Sequence, residues 1–206
     1  MIEAIALHEY AHALSADLQG DRLPRALGRL TLNPAKHLDP LGTILIFVAG
    51  FGWGKPVEFR PEALASKRFG ASLVALAGPG MNLLLAILAA GAIRLLPRDS
   101  WLCTTAGSFS IECLNAGAFA ETLLSFLWAF FGLNLLLAVF NLIPLPPLDG
   151  SRLLTLFLPP DKQKIVFFLD RYGFLLLLAL VFFGAATILG PVIGFLGSTI
   201  LSAVGL

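Results

Sequence analysis

Three apolar runs of roughly twenty residues or more, at residues 71–96, 119–143 and 172–190, limit what this 206-residue chain can become. Hydrocarbon offers no water to satisfy backbone N–H and C=O groups, so such a run crosses a bilayer only as a helix or as part of a closed barrel. These runs are continuous in hydrophobicity, without the period-two alternation of barrel strands, and about twenty residues at 1.5 Å each match the ~30 Å apolar thickness. The chain is 57% hydrophobic and only 13% charged, about half the charged share of an ordinary soluble domain. The expected fold class is therefore an all-α polytopic membrane protein, a bundle of about 4–6 transmembrane or partial helices with short membrane-face loops and room for a small β element. Fourteen basic and thirteen acidic side chains leave a net charge of +1, which gives no electrostatic basis for binding nucleic acid.

The segments between the spans are shorter and more varied. Residues 2–17 suit a helix of about 24 Å. Its apolar stretch is interrupted by His8, Glu9 and His12 and no basic segment precedes it, so it is not a signal peptide. Residues 18–40, with Gly20, Pro24, Gly28, Pro34 and four basic side chains, read as a solvent-exposed connection. Residues 41–53 are apolar but only about 13 long, the length of a partial or re-entrant segment. The alternation Val57-Glu58-Phe59 between prolines suggests a short strand at the membrane face. Cys103 and Cys113 share the connection at 98–118 and are read either as a pair in an oxidising compartment or as two free thiols. Residues 55–70 carry four basic and two acidic side chains, whereas 98–121 carry one basic and three acidic, which assigns the first loop to the cytoplasm and, by counting spans, residues 144–171 as well. No internal repeat or long polar insertion is present, so residues 1–206 are expected to form a single membrane-embedded domain. Its core motifs lie at 5–155 and a C-terminal hydrophobic segment at 172–206.

Within the first helix, His8-Glu9-Tyr10-Ala11-His12 is an HExxH motif. Positions i and i+4 lie on one helix face, so the two imidazoles can share a metal ion while Glu9 stands beside them as a general base for an activated water. Two histidines and a glutamate are costly in an apolar helix and face a bundle interior. The plain alternative, an inter-helix hydrogen-bond cluster, is disfavoured because two of the chain's three histidines flank the glutamate within five residues. A catalytic zinc takes three protein ligands and an open position. Asp149, where a span ends in Pro144-Leu-Pro-Pro-Leu-Asp149-Gly150, is the chosen third ligand, although Asp-Gly after prolines equally suits a turn or a helix cap. His37 is the rival ligand, with a surface histidine as its plain reading. Asn82 follows Gly78-Pro79-Gly80 inside an apolar span, where an amide needs a partner. It is read as a donor to the substrate backbone or to an oxyanion, against an ordinary inter-helix bond. Asn134 and Asn141 face the same choice, with the structural reading favoured.

HExxH, followed by Asn33-Pro34-Ala35-Lys36-His37, Gly52-Trp53-Gly54, Gly78-Pro79-Gly80-Met81-Asn82 and the segment from Asn141 to Gly150, resembles the site-2 proteases, the intramembrane zinc metalloproteases of regulated intramembrane proteolysis. The likeness covers most of residues 5–155. It implies one Zn2+ per chain held by His8, His12 and Asp149, Glu9 as general base, Asn82 at the substrate or intermediate, and His37 behind the ligands or on the substrate side. It further implies a membrane-spanning protein substrate and a multi-pass protein of the bacterial inner membrane, with its active site towards the cytoplasm and its oligomeric state undefined. Neither a PDZ insertion nor a CBS pair is present, as in the compact subgroup. Members usually carry more hydrophobic sequence ahead of HExxH, so the chain is read either as truncated or as starting at a misassigned initiation site. The competing class is a non-catalytic membrane scaffold or a metal-transport protein using the same histidines. The clustering of His, Glu and Asp at one depth, with Glu9 retained, favours the enzyme.

Overall fold

A computed structural model describes residues 1–49, 52–96, 102–105, 111–114, 117–157 and 163–206. Its organising element is the 29-residue helix α4 (Lys67–Leu95), against which α1 (Ile2–Leu18), α5 (Ala118–Asn141), α6 (Asp149–Phe157) and α8 (Ala185–Val204) all pack. The other α-helices among the described residues are α2 (Leu23–Ala26), α3 (Pro40–Ala49) and the 21-residue α7 (Gln163–Phe183). Small side chains make α4 a good hub. Ala86, Ala89 and Ala90 are buried and give a flat face to Phe131 and Leu135 of α5 and to Ile193, Leu196 and Ile200 of α8. Without a hydrophobic driving force between helices in lipid, such close backbone approach is what dispersion contacts require. On the α1 side, Val74 packs against Ala16 and Leu64.

The outer surface is apolar, with Leu88, Phe126 and Phe195 each more than half exposed. Phe69–Leu95, Ala118–Asn141 and Thr187–Val204 are each long and apolar enough to cross a membrane. The first two correspond to the expected runs at 71–96 and 119–143. The third corrects the reading of 172–190 as one span, because the helix stops at Gly184 and the apolar stretch is divided between α7 and α8. Hydrophobicity is continuous across this point. Glycine's weak helix propensity lets the chain leave helical geometry there, at φ −138° and ψ −13°.

Two other expectations change. Val57-Glu58-Phe59 belongs to no strand; the extended segment after Gly52 makes one isolated bridge, Leu38 with Gly54, and the Val57 N–H is used by a side chain instead. The β element of the described residues is a hairpin, β1 (Leu102–Thr105) with β2 (Ile111–Leu114), whose antiparallel register sets Cys103 opposite Cys113. Nor is the 18–40 connection a solvated loop throughout, for Asp21, Arg29 and His37 are buried within it. Asp21 draws Arg60 in: its carboxylate accepts from the Arg60 backbone N–H at 2.6 Å and from Arg60 Nη2 at 2.9 Å. Burial pushes the Asp21 carboxyl up, but the Arg60 and Leu23 hydrogen bonds outweigh it and hold the group below its ordinary range.

Candidate metal centre

Alanines dominate the buried face of α1 (Ala4, Ala6, Ala11, Ala13, Ala16), favouring the helix and leaving room for α4 to lie close. His8 and His12 project from that face and are both buried. Gly78 of α4 sits directly over them: a Cβ there would lie 2.6 Å from both His8 Cε1 and His12 Cε1. The third partner arrives from α6. After the turn at residues 142–148, Gly150 packs so tightly that a Cβ would run into the Leu142 and Ile143 carbonyls, and Asp149 in the first helical turn points back at the histidines.

The resulting distances are nearly equal. His8 Nε2 and His12 Nε2 are 3.0 Å apart, and Asp149 Oδ2 is 3.1 Å from the first and 3.2 Å from the second. Tetrahedral ligand atoms about 2.0–2.2 Å from a zinc ion would stand about 3.3–3.5 Å from one another, so the triangle approximates one face of that polyhedron. Proton counting agrees. His12 Nδ1 is 2.7 Å from the Val74 carbonyl, which only accepts, so Nδ1 carries a proton and, in the neutral ring, Nε2 is bare. The Asp149 carboxylate is an acceptor as well. With neutral imidazoles, the three converging atoms share at most one proton, on His8 Nε2, and the cluster favours a cation.

A family model described as Peptidase family M50 matches residues 1–180. The chain belongs to peptidase family M50. Its relatives include YwhC of Bacillus subtilis (strain 168), a candidate zinc metalloprotease by name, with 40% identity over 87% of this chain and 77% of YwhC. Two Rip2 proteins, named in the same terms, are 31% identical in Mycolicibacterium smegmatis and 34% identical in Mycobacterium tuberculosis (strain Erdman). Those alignments cover 86% and 91% of this chain and 63% and 66% of the respective relatives, so the chain spans a little under two thirds of the Rip2 length. No solved structure matches the chain. Family membership, together with the three apolar helices, makes it an integral membrane protein.

Around the triangle, the other expected residues fall into distinct places. Glu9 accepts a hydrogen bond from the Val57 N–H at 3.2 Å through Oε2, which is 3.9 Å from Arg29 Nη2. Arg29 itself is buried and donates to the Lys36 and Lys55 carbonyls, tying the connection after α2 to the extended segment that reaches Glu9. Sequence reading counted Arg29 only as a loop charge, and its bonds to two backbone carbonyls leave no pattern in the sequence. His37 is neither a surface residue nor a member of the triangle. Fully buried, it sets Nε2 against the Thr31 carbonyl at 2.7 Å, while its own carbonyl accepts from the Lys55 N–H at 2.7 Å. Asn82 is also fully buried, with Nδ2 3.2 Å from His8 Nδ1. Asn134 and Asn141 donate back to carbonyls four residues earlier on α5, at 2.9 Å and 3.0 Å.

Proposed function

We propose that this chain is an intramembrane zinc metalloprotease that hydrolyses peptide bonds of membrane-embedded protein substrates, with residues 1–206 acting as one catalytic unit. The observation that carries this reading is the near-equilateral triangle of two imidazole Nε2 atoms and a carboxylate oxygen. His8, His12 and Asp149 would hold one zinc ion, which when bound supplies Lewis acidity to the scissile carbonyl and brings the pKa of water towards about 7. YwhC and the Rip2 proteins, named as candidate zinc metalloproteases, support that choice of metal.

The chain's own residues supply the remaining work. Glu9, held by the Val57 N–H and facing the Arg29 guanidinium, takes the proton of the attacking water and delivers it to the leaving amine. A substrate helix must unwind locally to present its carbonyl, since helical amides are already hydrogen-bonded and shielded. The basic side chains within 55–70 and 144–171 support a bacterial inner-membrane orientation with the site towards the cytoplasm.

Glu9→Gln tests the reading. The variant should bind zinc with wild-type stoichiometry and lose cleavage of a single-span reporter reconstituted with it in liposomes, by about 10²-fold or more. Undiminished cleavage would refute the assignment and return the chain to the scaffold or metal-transport class.

A further inference from the structure

Five side chains among the described residues bury a polar atom without a partner (Arg29, His37, Asn82, Trp128 and Asn134), and Asn82 is the one that also bonds a residue of the triangle. Its side chain is fully buried, its Nδ2 is 3.2 Å from His8 Nδ1, and its Oδ1 has no hydrogen-bond partner. Buried polar atoms without partners are rare and costly, and they point to a role beyond packing. The surroundings of this amide favour a role other than contact with substrate or an oxyanion. The amide lies with no exposed surface behind the histidine ring, on Nδ1, while the metal-facing Nε2 points the other way towards Asp149 and His12.

The chemistry of His8 supplies an alternative. For His8 to offer a lone pair from Nε2, its ring proton must be on Nδ1 and must meet an acceptor. The group beside Nδ1 is the Asn82 amide. Primary amides serve either imidazole tautomer: the NH2 end donates to a bare Nδ1, and a half-turn of the amide brings the oxygen to the same place to accept from a protonated one. His12 has its counterpart in the Val74 carbonyl, also on α4, also on Nδ1, and able only to accept. One helix therefore supports the Nδ1 atoms of both histidines, one of them with a fixed acceptor and the other with a reversible one.

We propose that Asn82 is a positioning residue for His8: with metal bound, Asn82 Oδ1 accepts the His8 Nδ1–H, fixing the tautomer and ring plane that aim Nε2 at the ion. This inference rests on the proposed metal site at His8, His12 and Asp149. It separates Asn82 from the groups that touch substrate, and the same half-turn carries the NH2 end away from His8 Nδ1 to the side where the oxygen has no partner. It also accounts for an amide at this position, since an isosteric apolar side chain has neither end and a carboxylate keeps only the accepting one.

The test is zinc competition against a chromophoric chelator for detergent-purified wild type, Asn82→Leu and Asn82→Asp, with Co2+ ligand-field spectra of the same proteins and helical circular dichroism as the folding control. Asn82→Leu should raise the zinc dissociation constant by roughly 10–100-fold and alter the cobalt spectrum, the usual effect of removing a partner behind a metal-bound imidazole. Asn82→Asp, which keeps an acceptor, should stay within a few-fold of wild type and keep its spectrum. Equal zinc affinity in wild type and Asn82→Leu, with reporter cleavage alone lost, would overturn the inference in favour of substrate contact. A tenfold or greater loss of affinity in a folded Asn82→Asp would overturn it as well. A wild-type protein that binds no zinc would instead refute the metal site on which the inference depends.

Discussion

Substituting Gly78 by alanine tests whether the close approach of α4 to α1 builds the metal triangle. An added Cβ would fall 2.6 Å from His8 Cε1 and from His12 Cε1, about an ångström inside ordinary carbon–carbon contact near 3.5–4.0 Å. Neither ring can yield freely: His12 is tethered to Val74 four residues before Gly78 on the same helix, and His8 to Asn82 four residues after it. Relief must come from moving α4 away from α1 or from turning the rings, and either distorts a triangle with sides of 3.0–3.2 Å. Overpacking of this kind costs about 1–3 kcal/mol, which, if it falls on the metal-bound form, weakens zinc binding about 5–150-fold. Gly80→Ala is the internal control, because a Cβ there meets nothing within 4 Å. With the helix-propensity gain of alanine over glycine, about 0.5–1 kcal/mol, it should leave zinc affinity unchanged and raise thermal stability slightly. Chelator competition and thermal unfolding in detergent measure both. Wild-type zinc affinity in Gly78→Ala, or equal losses in the two variants, would refute the packing argument.

Two further outcomes follow from the geometry. Asp149→Ala should lose most of the bound zinc while His37→Ala keeps it, since Asp149 Oδ2 is within 3.2 Å of both histidines and His37 is occupied with the Thr31 carbonyl; metal analysis that reversed this ranking would exclude Asp149 as the third ligand. Asp21, whose folded-state carboxyl is held below its ordinary range, stabilises the fold at pH values above the unfolded-state pKa of about 3.9, and that contribution disappears as pH falls through its lower folded-state value. The melting temperature of wild type should therefore exceed that of Asp21→Asn by a constant margin from pH 7 to pH 5 and by a shrinking one below about pH 4; a margin independent of pH would contradict the buried Asp21–Arg60 pairing.

What was legible in the sequence follows the range of the interactions involved. His8 and His12 were evident because four residues along a helix is a local relation, and the spans at 71–96 and 119–143 because their signal is continuous hydrophobicity. Asp149 is 141 positions from His8, and its local pattern suits a turn equally well, so the residues alone put it forward at even odds and the resemblance to site-2 proteases strengthened the choice. The burial of His37 and Arg29 could not be read from a loop of prolines, glycines and charges, because each is bonded to backbone carbonyls that have no side-chain signature. The Gly184 break was masked by apolar residues on both sides, and the strand expected at Val57 gave way because Glu9 takes the N–H a ladder would have needed. Asn82 was recognised as a buried amide in need of a partner, but the identity of that partner depends on the pairing of α4 with α1.

The central claim, that His8, His12 and Asp149 form a zinc site, is tested most directly by zinc-edge X-ray absorption on the purified protein. One zinc per chain is expected, with two imidazole nitrogens and carboxylate oxygen at about 2.0–2.2 Å, and one imidazole fewer in His12→Ala. A protein that takes up no zinc, or one whose zinc shows a sulfur shell near 2.3 Å or an imidazole count unchanged in His12→Ala, would contradict it.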